Sequence, residues 1–124
     1  MNMKITIVTQ IEKAIITVTP AKKKVGKDII GFAEINFVDN EDNIIFIARG
    51  YTIKVKTFDF VPTFIVNAPA YKSGFKYRTS FVVESKSLWR DITKEILADF
   101  SEQTGGKQPE DYFAENVNPS DIPQ

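Results

Sequence analysis

The sequence predicts an α+β fold in which one C-terminal helix packs on an antiparallel β-sheet. Short runs rich in β-branched and aromatic residues, separated by turn-forming residues, fill the chain as far as Glu84. Apolar residues then recur at helical spacing over 87–103. Because one helix can cover one face of such a sheet, this order favours a single domain over 1–103. The segment 104–124 is predicted to be a flexible acidic tail.

The N-terminal third predicts strands separated by a basic loop. Met3–Val8 and Ala14–Thr19 are rich in β-branched residues and form two strands or one bent strand. Pro20–Lys27 is predicted to be a basic loop, because proline interrupts a ladder of hydrogen bonds and glycine permits a turn. Ile29–Val38 alternates in its middle and is the next strand.

The acidic stretch Val38–Asn43 has the composition of a hairpin turn. It lacks the glycine and the distant glutamate of a calcium-binding loop, so we assign no metal to it. Ile44–Ala48 is continuously apolar, as in a buried strand, and Arg49–Phe58 continues or follows it. Gly50, in the middle of this stretch, is predicted to be a β-bulge.

Two further strands precede the helix. Thr63–Ala68 ends at Pro69, and Phe75–Glu84 alternates aromatic with mainly basic residues. We expect the aromatic side chains of this last strand, Phe75, Tyr77 and Phe81, to lie in the core.

The helix is predicted over Ser87–Gln103, capped by either Ser85 or Ser87. Leu88, Ile92, Ile96 and Phe100 recur at helical spacing. We assign Trp89, Ile92, Ile96 and Phe100 to the core. The glycines at 105 and 106 end the helix by permitting a left-handed turn.

The composition excludes several classes of function. The 124 residues include no cysteine and no histidine, which removes disulfides, thiolate metal sites and Ser-His-Asp or Cys-His catalysis. No apolar run approaches the roughly 18 residues that span a membrane, and no signal-peptide pattern is present. We therefore expect a cytoplasmic protein that is not an enzyme, binds no cofactor or metal and contacts no membrane.

The net charge of zero conceals an uneven distribution of charge. Between Arg49 and Arg90 there are eight basic and two acidic residues, which gives 8 − 2 = +6. The last 21 residues carry four acidic residues and one lysine, which gives 1 − 4 = −3. This separation predicts a basic body with an acidic tail that competes with phosphate or recruits a protein partner.

The basic segment is also aromatic, and single-stranded nucleic acid is bound by cationic grooves with rings on which bases stack. Lys54 and Lys56 alternate with apolar residues, so that one face of their strand is cationic. Together with a cluster between residues 71 and 78, they give the candidate nucleic-acid-binding residues: Lys54, Lys56, Tyr71, Lys72, Lys76 and Arg78.

From about Gly31 to Phe100 the chain resembles the family of the septation and sporulation regulator SpoVG (stage V sporulation protein G). The resemblance is carried, in family order, by Ala33–Phe37, Ile53–Val55, Phe64–Pro69, Tyr71–Gly74, Phe75–Arg78 and Ile96–Phe100. The chain departs from the family pattern at Ala68, where methionine is usual, and at Ala70, where the family has serine.

The resemblance implies a small dimeric regulator that binds DNA or RNA without catalysis, with Lys72, Lys76 and Arg78 at the family's binding positions. Two alternatives remain open. The order of strands and helix also fits dimeric single-strand DNA-binding proteins of the coactivator (PC4) and Whirly types. The second alternative is a homodimeric protein-interaction module, in which the basic residues only keep the surface hydrated.

Overall fold

The computed structural model describes residues 11–26 and 28–114. The predicted strand Met3–Val8 and the part 115–124 of the predicted tail lie outside the described residues. The elements in chain order are strands β1 (Lys13–Val25), β2 (Ile29–Val38), β3 (Ile44–Phe58), β4 (Val61–Asn67), β5 (Ala70–Ser73) and β6 (Lys76–Thr79), followed by helices α1 (Lys86–Gln103) and α2 (Pro109–Ala114).

Strands β1 to β4 form an antiparallel sheet in chain order, and β5 and β6 form a separate two-stranded hairpin. Helix α1 lies across one face of the sheet, in contact with β1 and β4. The predicted α+β fold, an antiparallel sheet with a C-terminal helix packed on it, is therefore confirmed. None of the helices in the described part of the chain is long and apolar enough to cross a membrane.

The two faces of the sheet differ in chemistry because strand side chains alternate. On β3, Tyr51, Ile53 and Val55 are buried towards α1, and we call this side the inner face. Lys54 and Lys56 lie on the opposite side, the outer face. The predicted division of β3 into an apolar and a cationic face is thus confirmed.

The core between the inner face and α1 is built around Phe100. Ile92, Ile96 and Phe100 are buried, as predicted, whereas Leu88 is largely exposed and Trp89 is half-buried at the edge of the core. The helix begins after Ser85, whose Oγ accepts a hydrogen bond from the Leu88 amide at 3.2 Å. The cap is therefore Ser85 rather than Ser87.

Part of the segment that we placed in the tail is structured. Helix α2 lies within it, and its Tyr112 is buried against the core. The Tyr112 ring lies 6.1 Å from that of Phe100 and 5.8 Å from that of Phe64, measured between centroids. Aromatic rings at such separations attract one another in addition to the area that they bury.

The predicted basic loop Pro20–Lys27 is wrong over most of its length, because β1 continues to Val25. Proline is tolerated there since β1 is an edge strand, where an N–H is not needed on the open side. The pairing is irregular: Pro20 pairs with Gly31 and Val25 with Ile29, so residues 21–24 stand opposite Ile30 alone.

The bulge predicted at Gly50 is confirmed. Ala33 pairs with Tyr51 and Ile35 with Ala48, so that Arg49 and Gly50 together oppose Glu34. Gly50 has a φ of +95°, a conformation that glycine adopts without steric cost. Ile44–Ala48 and Arg49–Phe58 are therefore one strand that bends at the bulge.

The acidic turn between β2 and β3 is a structural feature. Asp39 Oδ1 accepts hydrogen bonds from the backbone amides of Glu41 and Asn43, each at 2.9 Å. These bonds hold the pKa of Asp39 below its ordinary value, because they favour the ionised carboxylate. Hydrogen bonds within the turn thus fix the position of the Asp39 carboxylate.

Tyr51 carries a buried hydroxyl group at the centre of the core. Its ring stacks on that of Trp89 with centroids 6.0 Å apart. Its Oη atom has no hydrogen-bond partner among the described residues. Burial raises the pKa of Tyr51 from 10.0 to about 12, because a low-dielectric interior disfavours the charged phenolate.

We expect Tyr51→Phe to raise the free energy of unfolding at neutral pH by about 1 kcal/mol, because it removes a buried hydroxyl without a partner. In the unchanged protein, the unfolded chain releases the Tyr51 proton near pH 10, whereas the folded chain keeps it until about pH 12. Stability should therefore fall as the pH rises through this window, and less steeply in the variant. Urea unfolding at both pH ranges tests this; a variant that is less stable at neutral pH contradicts it.

Candidate nucleic-acid interface

The β5–β6 hairpin projects from the body of the protein. Its register pairs Ala70 with Thr79 and Ser73 with Lys76, which leaves Gly74 and Phe75 as a two-residue loop. Gly74 has a φ of +64°, as tight two-residue loops with glycine in the first position require. Every residue in the two strands is exposed.

The register divides the hairpin into two faces, because residues directly opposite one another in an antiparallel pair share a face. One face, which we call the groove face, carries Ala70, Lys72, Tyr77 and Thr79. The other, the outward face, carries Tyr71, Ser73, Lys76 and Arg78.

A groove of about 640 Å³ separates the groove face of the hairpin from the outer face of the sheet. Tyr77 and Thr79 line it from the hairpin, and Thr52 and Lys54 line it from β3. Asn67, at the end of β4, pairs with Thr52 and completes a set of polar groups on the floor. The full lining is Ile29, Gly50, Thr52, Lys54, Asn67, Ala68, Ala70, Tyr77 and Thr79.

The bulge in β3 anchors the base of the hairpin. Pro69, the residue before β5, is buried, and a Cβ atom on Gly50 would lie 3.3 Å from the Cβ atom of Pro69. The Ser80 amide donates a hydrogen bond to the Pro69 carbonyl at 2.8 Å, which closes the hairpin at its base. On the bulge itself, Arg49 Nε lies 3.1 Å from Glu34 Oε2, so this arginine is paired.

The structure places the six predicted site residues at four positions. Tyr71, Lys76 and Arg78 lie together on the outward face, and Lys72 lies on the groove face opposite Tyr77. Lys54 lines the far wall of the groove. Lys56 lies two residues further along β3 and its Nζ atom is 3.8 Å from Asp28 Oδ2, which partly neutralises it.

The prediction that the aromatic residues of Phe75–Glu84 lie inside is wrong for Phe75 and Tyr77. Phe75 is fully exposed and Tyr77 is 75% exposed, because no second layer within the described residues covers the hairpin. Strand β6 ends at Thr79, and only Phe81, beyond it, reaches the core, where its ring lies 5.8 Å from that of Phe37. Two of the three rings that the sequence assigned to the core, those of Phe75 and Tyr77, are thus at the surface beside the cations.

Sequence reasoning did not include Thr52, Asn67, Tyr77 and Thr79 among the site residues. Thr52 precedes Lys54 by two positions and so shares its face, which is a signal that the sequence contains. The position of Asn67 depends on the pairing of β3 with β4, and that of Tyr77 on the fold of the hairpin over the sheet. Neither of these can be obtained from periodicity.

The hairpin carries a charge of +3 from Lys72, Lys76 and Arg78, with no acidic residue between 70 and 79. None of the three forms an ion pair within 11–26 and 28–114. Tyr71 adds a half-exposed ring to the outward face. The hairpin therefore presents uncompensated positive charge and exposed rings in one projecting element.

No protein-family model, curated protein or solved structure matches this chain.

We expect Gly50→Ala to lower the free energy of unfolding by about 2 kcal/mol, because a Cβ atom strains the backbone and approaches Pro69. Gly74→Ala is the matched control: its φ is also positive, but nothing lies within 4 Å of the added atom, so the cost is about 1 kcal/mol. Urea unfolding gives both values. Amide chemical shifts of residues 70–79 should move in Gly50→Ala, and equal costs with an unmoved hairpin would show that Pro69 does not couple the two elements.

Proposed function

We propose that this protein is a non-catalytic, cytoplasmic nucleic-acid-binding regulator that binds a single strand on the β5–β6 hairpin. The observation that carries the proposal is the juxtaposition of three unpaired cations with three exposed aromatic rings within nine residues, Tyr71 to Thr79. Cations hold the phosphate backbone, and rings stack on bases of any sequence.

The exposure of the rings supports a binding role. Phe75 and Tyr77 could have been buried only against another layer, and none of the elements that the structure describes covers the hairpin. Exposed apolar groups rimmed by polar and charged residues are typical of interaction surfaces. The neighbouring cations select partners that are negatively charged, which favours phosphate over an apolar protein surface.

The groove favours a single strand over a duplex as the ligand. An unpaired base can enter between Tyr77 and the outer face of the sheet, where Asn67 and Thr52 offer hydrogen-bonding groups. In a duplex the bases are stacked and paired and cannot enter without being extruded. Lys54 then lies on the wall of the same groove, within reach of a phosphate that follows the base.

The resemblance to the SpoVG family also supports the β5–β6 hairpin as the binding surface. The basic loop and the aromatic-arginine strand that carry the resemblance, Tyr71–Gly74 and Phe75–Arg78, are the two strands and the loop of the hairpin. The groove favours a single strand as the ligand, a property shared with the alternative coactivator and Whirly types.

A homodimeric protein-interaction module is the second candidate, and one observation favours it. Ile15 and Ile47 lie on either side of Asn36 on the outer face and are exposed, as is Phe32 in a neighbouring row. Such a module would form a stable dimer that is indifferent to nucleic acid and to the charges of the hairpin.

We expect Lys76→Ala/Arg78→Ala to weaken binding of a fluorescent oligothymidylate and to reduce its salt dependence. Each lost phosphate contact lowers the slope of log affinity against log salt by about 0.7 for single strands, so the double variant should lose about 1.4. The matched control, Arg90→Ala/Lys94→Ala, removes the same charge from the exposed side of α1 and should keep the slope. Fluorescence anisotropy between about 50 and 200 mM salt measures both. Equal losses in the two variants would assign binding to net charge rather than to the hairpin.

We expect a single-stranded oligonucleotide to bind more tightly than the duplex of the same length, and Tyr77→Ala to weaken it by about 1–3 kcal/mol, the range for loss of one stacked base. Tyr77→Phe keeps the ring and should retain the affinity. Because Tyr77 carries no charge, the salt slope should be the same in all three proteins. Competition anisotropy with matched DNA and RNA strands tests this, and a duplex that competes as well as its single strand would exclude insertion of a base.

A further inference from the structure

A second basic recess lies on the inner side of the sheet, away from the hairpin. We call it the lysine pocket; it has a volume of about 200 Å³ and its polar lining consists of Lys22, Lys23, Lys24, Thr104, Lys107 and Tyr112. Ile30 forms part of its apolar wall, whereas the adjacent Ile29 lines the groove under the hairpin. Ile29 pairs with Lys54 of the outer face, whereas Ile30 and Tyr112 belong to the core, so the two basic sites lie on opposite sides of the same end of β2.

The irregular pairing of β1 brings three consecutive lysines to the same recess. In a regular strand, Lys23 would point away from Lys22 and Lys24. Here residues 21–24 stand opposite Ile30 alone, so the strand bends out of the ladder and all three lysines line the pocket. A bulge that changes the direction of side chains in this way is common next to functional sites.

The other wall of the pocket comes from the far end of the chain. Gly105 and Gly106, with φ of +73° and +79°, turn the backbone after α1 and bring Thr104 and Lys107 opposite β1. The Thr104 hydroxyl donates to the Phe100 carbonyl at 2.8 Å, which fixes this turn to the last residues of α1. The pocket therefore exists only in the folded protein.

Aromatic rings hold two of the ammonium groups in place. Lys24 Nζ lies 5.0 Å from the centroid of the Phe113 ring, and Lys107 Nζ lies 4.5 Å from that of Tyr112. A ring attracts a cation without neutralising it, so Lys24 is positioned while its charge remains available to an anion. Both lysines are half-buried, which reduces the side-chain entropy still to be lost on binding.

No acidic side chain lines the pocket, and no ion pair involves Lys22, Lys23 or Lys24 within the described part of the chain. Asp111 adjoins Tyr112 in sequence. Its carboxylate accepts a hydrogen bond from the Gln108 amide at 2.8 Å and so stabilises the N-terminus of α2. Placing several like charges together is unfavourable unless a counter-charge is bound.

We propose that the lysine pocket binds a phosphate group, either of a free polyphosphate or at the end of a nucleic-acid strand. A phosphate carries enough charge and enough oxygen acceptors to engage several ammonium groups at once, and lysine acts at such sites as a mobile point charge. The small volume suits one or two phosphate groups rather than a nucleoside. The proposal does not rest on the function proposed for the hairpin.

The experiment is calorimetric titration of the full chain with inorganic pyrophosphate. The pocket variant is Lys22→Gln/Lys23→Gln, chosen because both side chains are exposed. The matched control is Arg90→Gln/Lys94→Gln, which removes the same charge from the exposed side of α1. The hairpin variant Lys76→Ala/Arg78→Ala is titrated beside them with the oligonucleotides. We expect the pocket variant to lose about tenfold or more in affinity for pyrophosphate, because it lacks two charge-assisted hydrogen bonds. The control should bind pyrophosphate as the unchanged protein does.

A second arm distinguishes the two sources of phosphate. An oligonucleotide is titrated with and without a 5′-phosphate. If the 5′-phosphate increases affinity in the control background and not in the pocket variant, the ligand is the end of a strand. If pyrophosphate binds and the 5′-phosphate has no effect, the ligand is a free polyphosphate.

If the pocket variant, with an unchanged circular dichroism spectrum, binds pyrophosphate and the phosphorylated strand as the unchanged protein does, the proposal is overturned. If, in addition, only the hairpin variant loses oligonucleotide binding, the function proposed for the hairpin is supported and the lysine pocket has no part in it. Amide shifts of Thr104 and Tyr112 on addition of pyrophosphate to the unchanged protein provide the direct readout, and the absence of such shifts would also overturn it.

Discussion

The close approach of α1 to the sheet at Gly31 is the constraint on which the rest of the structure depends. A Cβ atom at this position would lie 3.1 Å from Phe100 Cε2, tighter than nine in ten real contacts, so a larger residue would push the Phe100 ring away from β2 by a few tenths of an ångström. From there the ring reaches Phe64 at 5.6 Å and Tyr112 at 6.1 Å. One side chain thus joins β2, β4, α1 and α2, and the seating of Phe100 also sets where the turn at Thr104 begins.

A second glycine extends the same logic to the opposite face. Gly50 widens β3 by one residue and leaves room for Pro69, so the chain can leave β4 and turn back as a hairpin over the outer face. Gly31 determines how closely α1 packs on the inner face, and Gly50 determines where the hairpin leaves the sheet. The shape of the groove therefore follows from the backbone at Gly50 and Pro69. Under the proposed function, the side chains that line the groove determine which ligand it binds.

The parts of the fold that depend on local periodicity could be predicted, and the parts that depend on long-range packing could not. The alternation of Ile53 and Val55 with Lys54 and Lys56 gave both faces of β3 correctly, and helical spacing identified Ile92, Ile96 and Phe100 as core residues. The alternation in Phe75–Glu84 was equally regular, yet its first two rings are exposed. Periodicity shows that two faces differ, but it does not show which face another layer covers. Within 11–26 and 28–114, neither face of the hairpin is packed against another layer.

The placement of charge follows from the same packing. A net charge of zero gives the molecule no long-range attraction for polyanions, so any binding of phosphate depends on local fields. Screening at physiological salt limits such fields to about 8 Å, so a charge acts only on a ligand that is nearly in contact with it. Cations that are spread over a surface would then contribute little. Both basic sites concentrate their charge locally: the hairpin carries three cations and no acidic residue between 70 and 79, and the irregular pairing of β1 brings three consecutive lysines to one pocket. Folding therefore creates, in a neutral chain, the local charge density that the composition lacks.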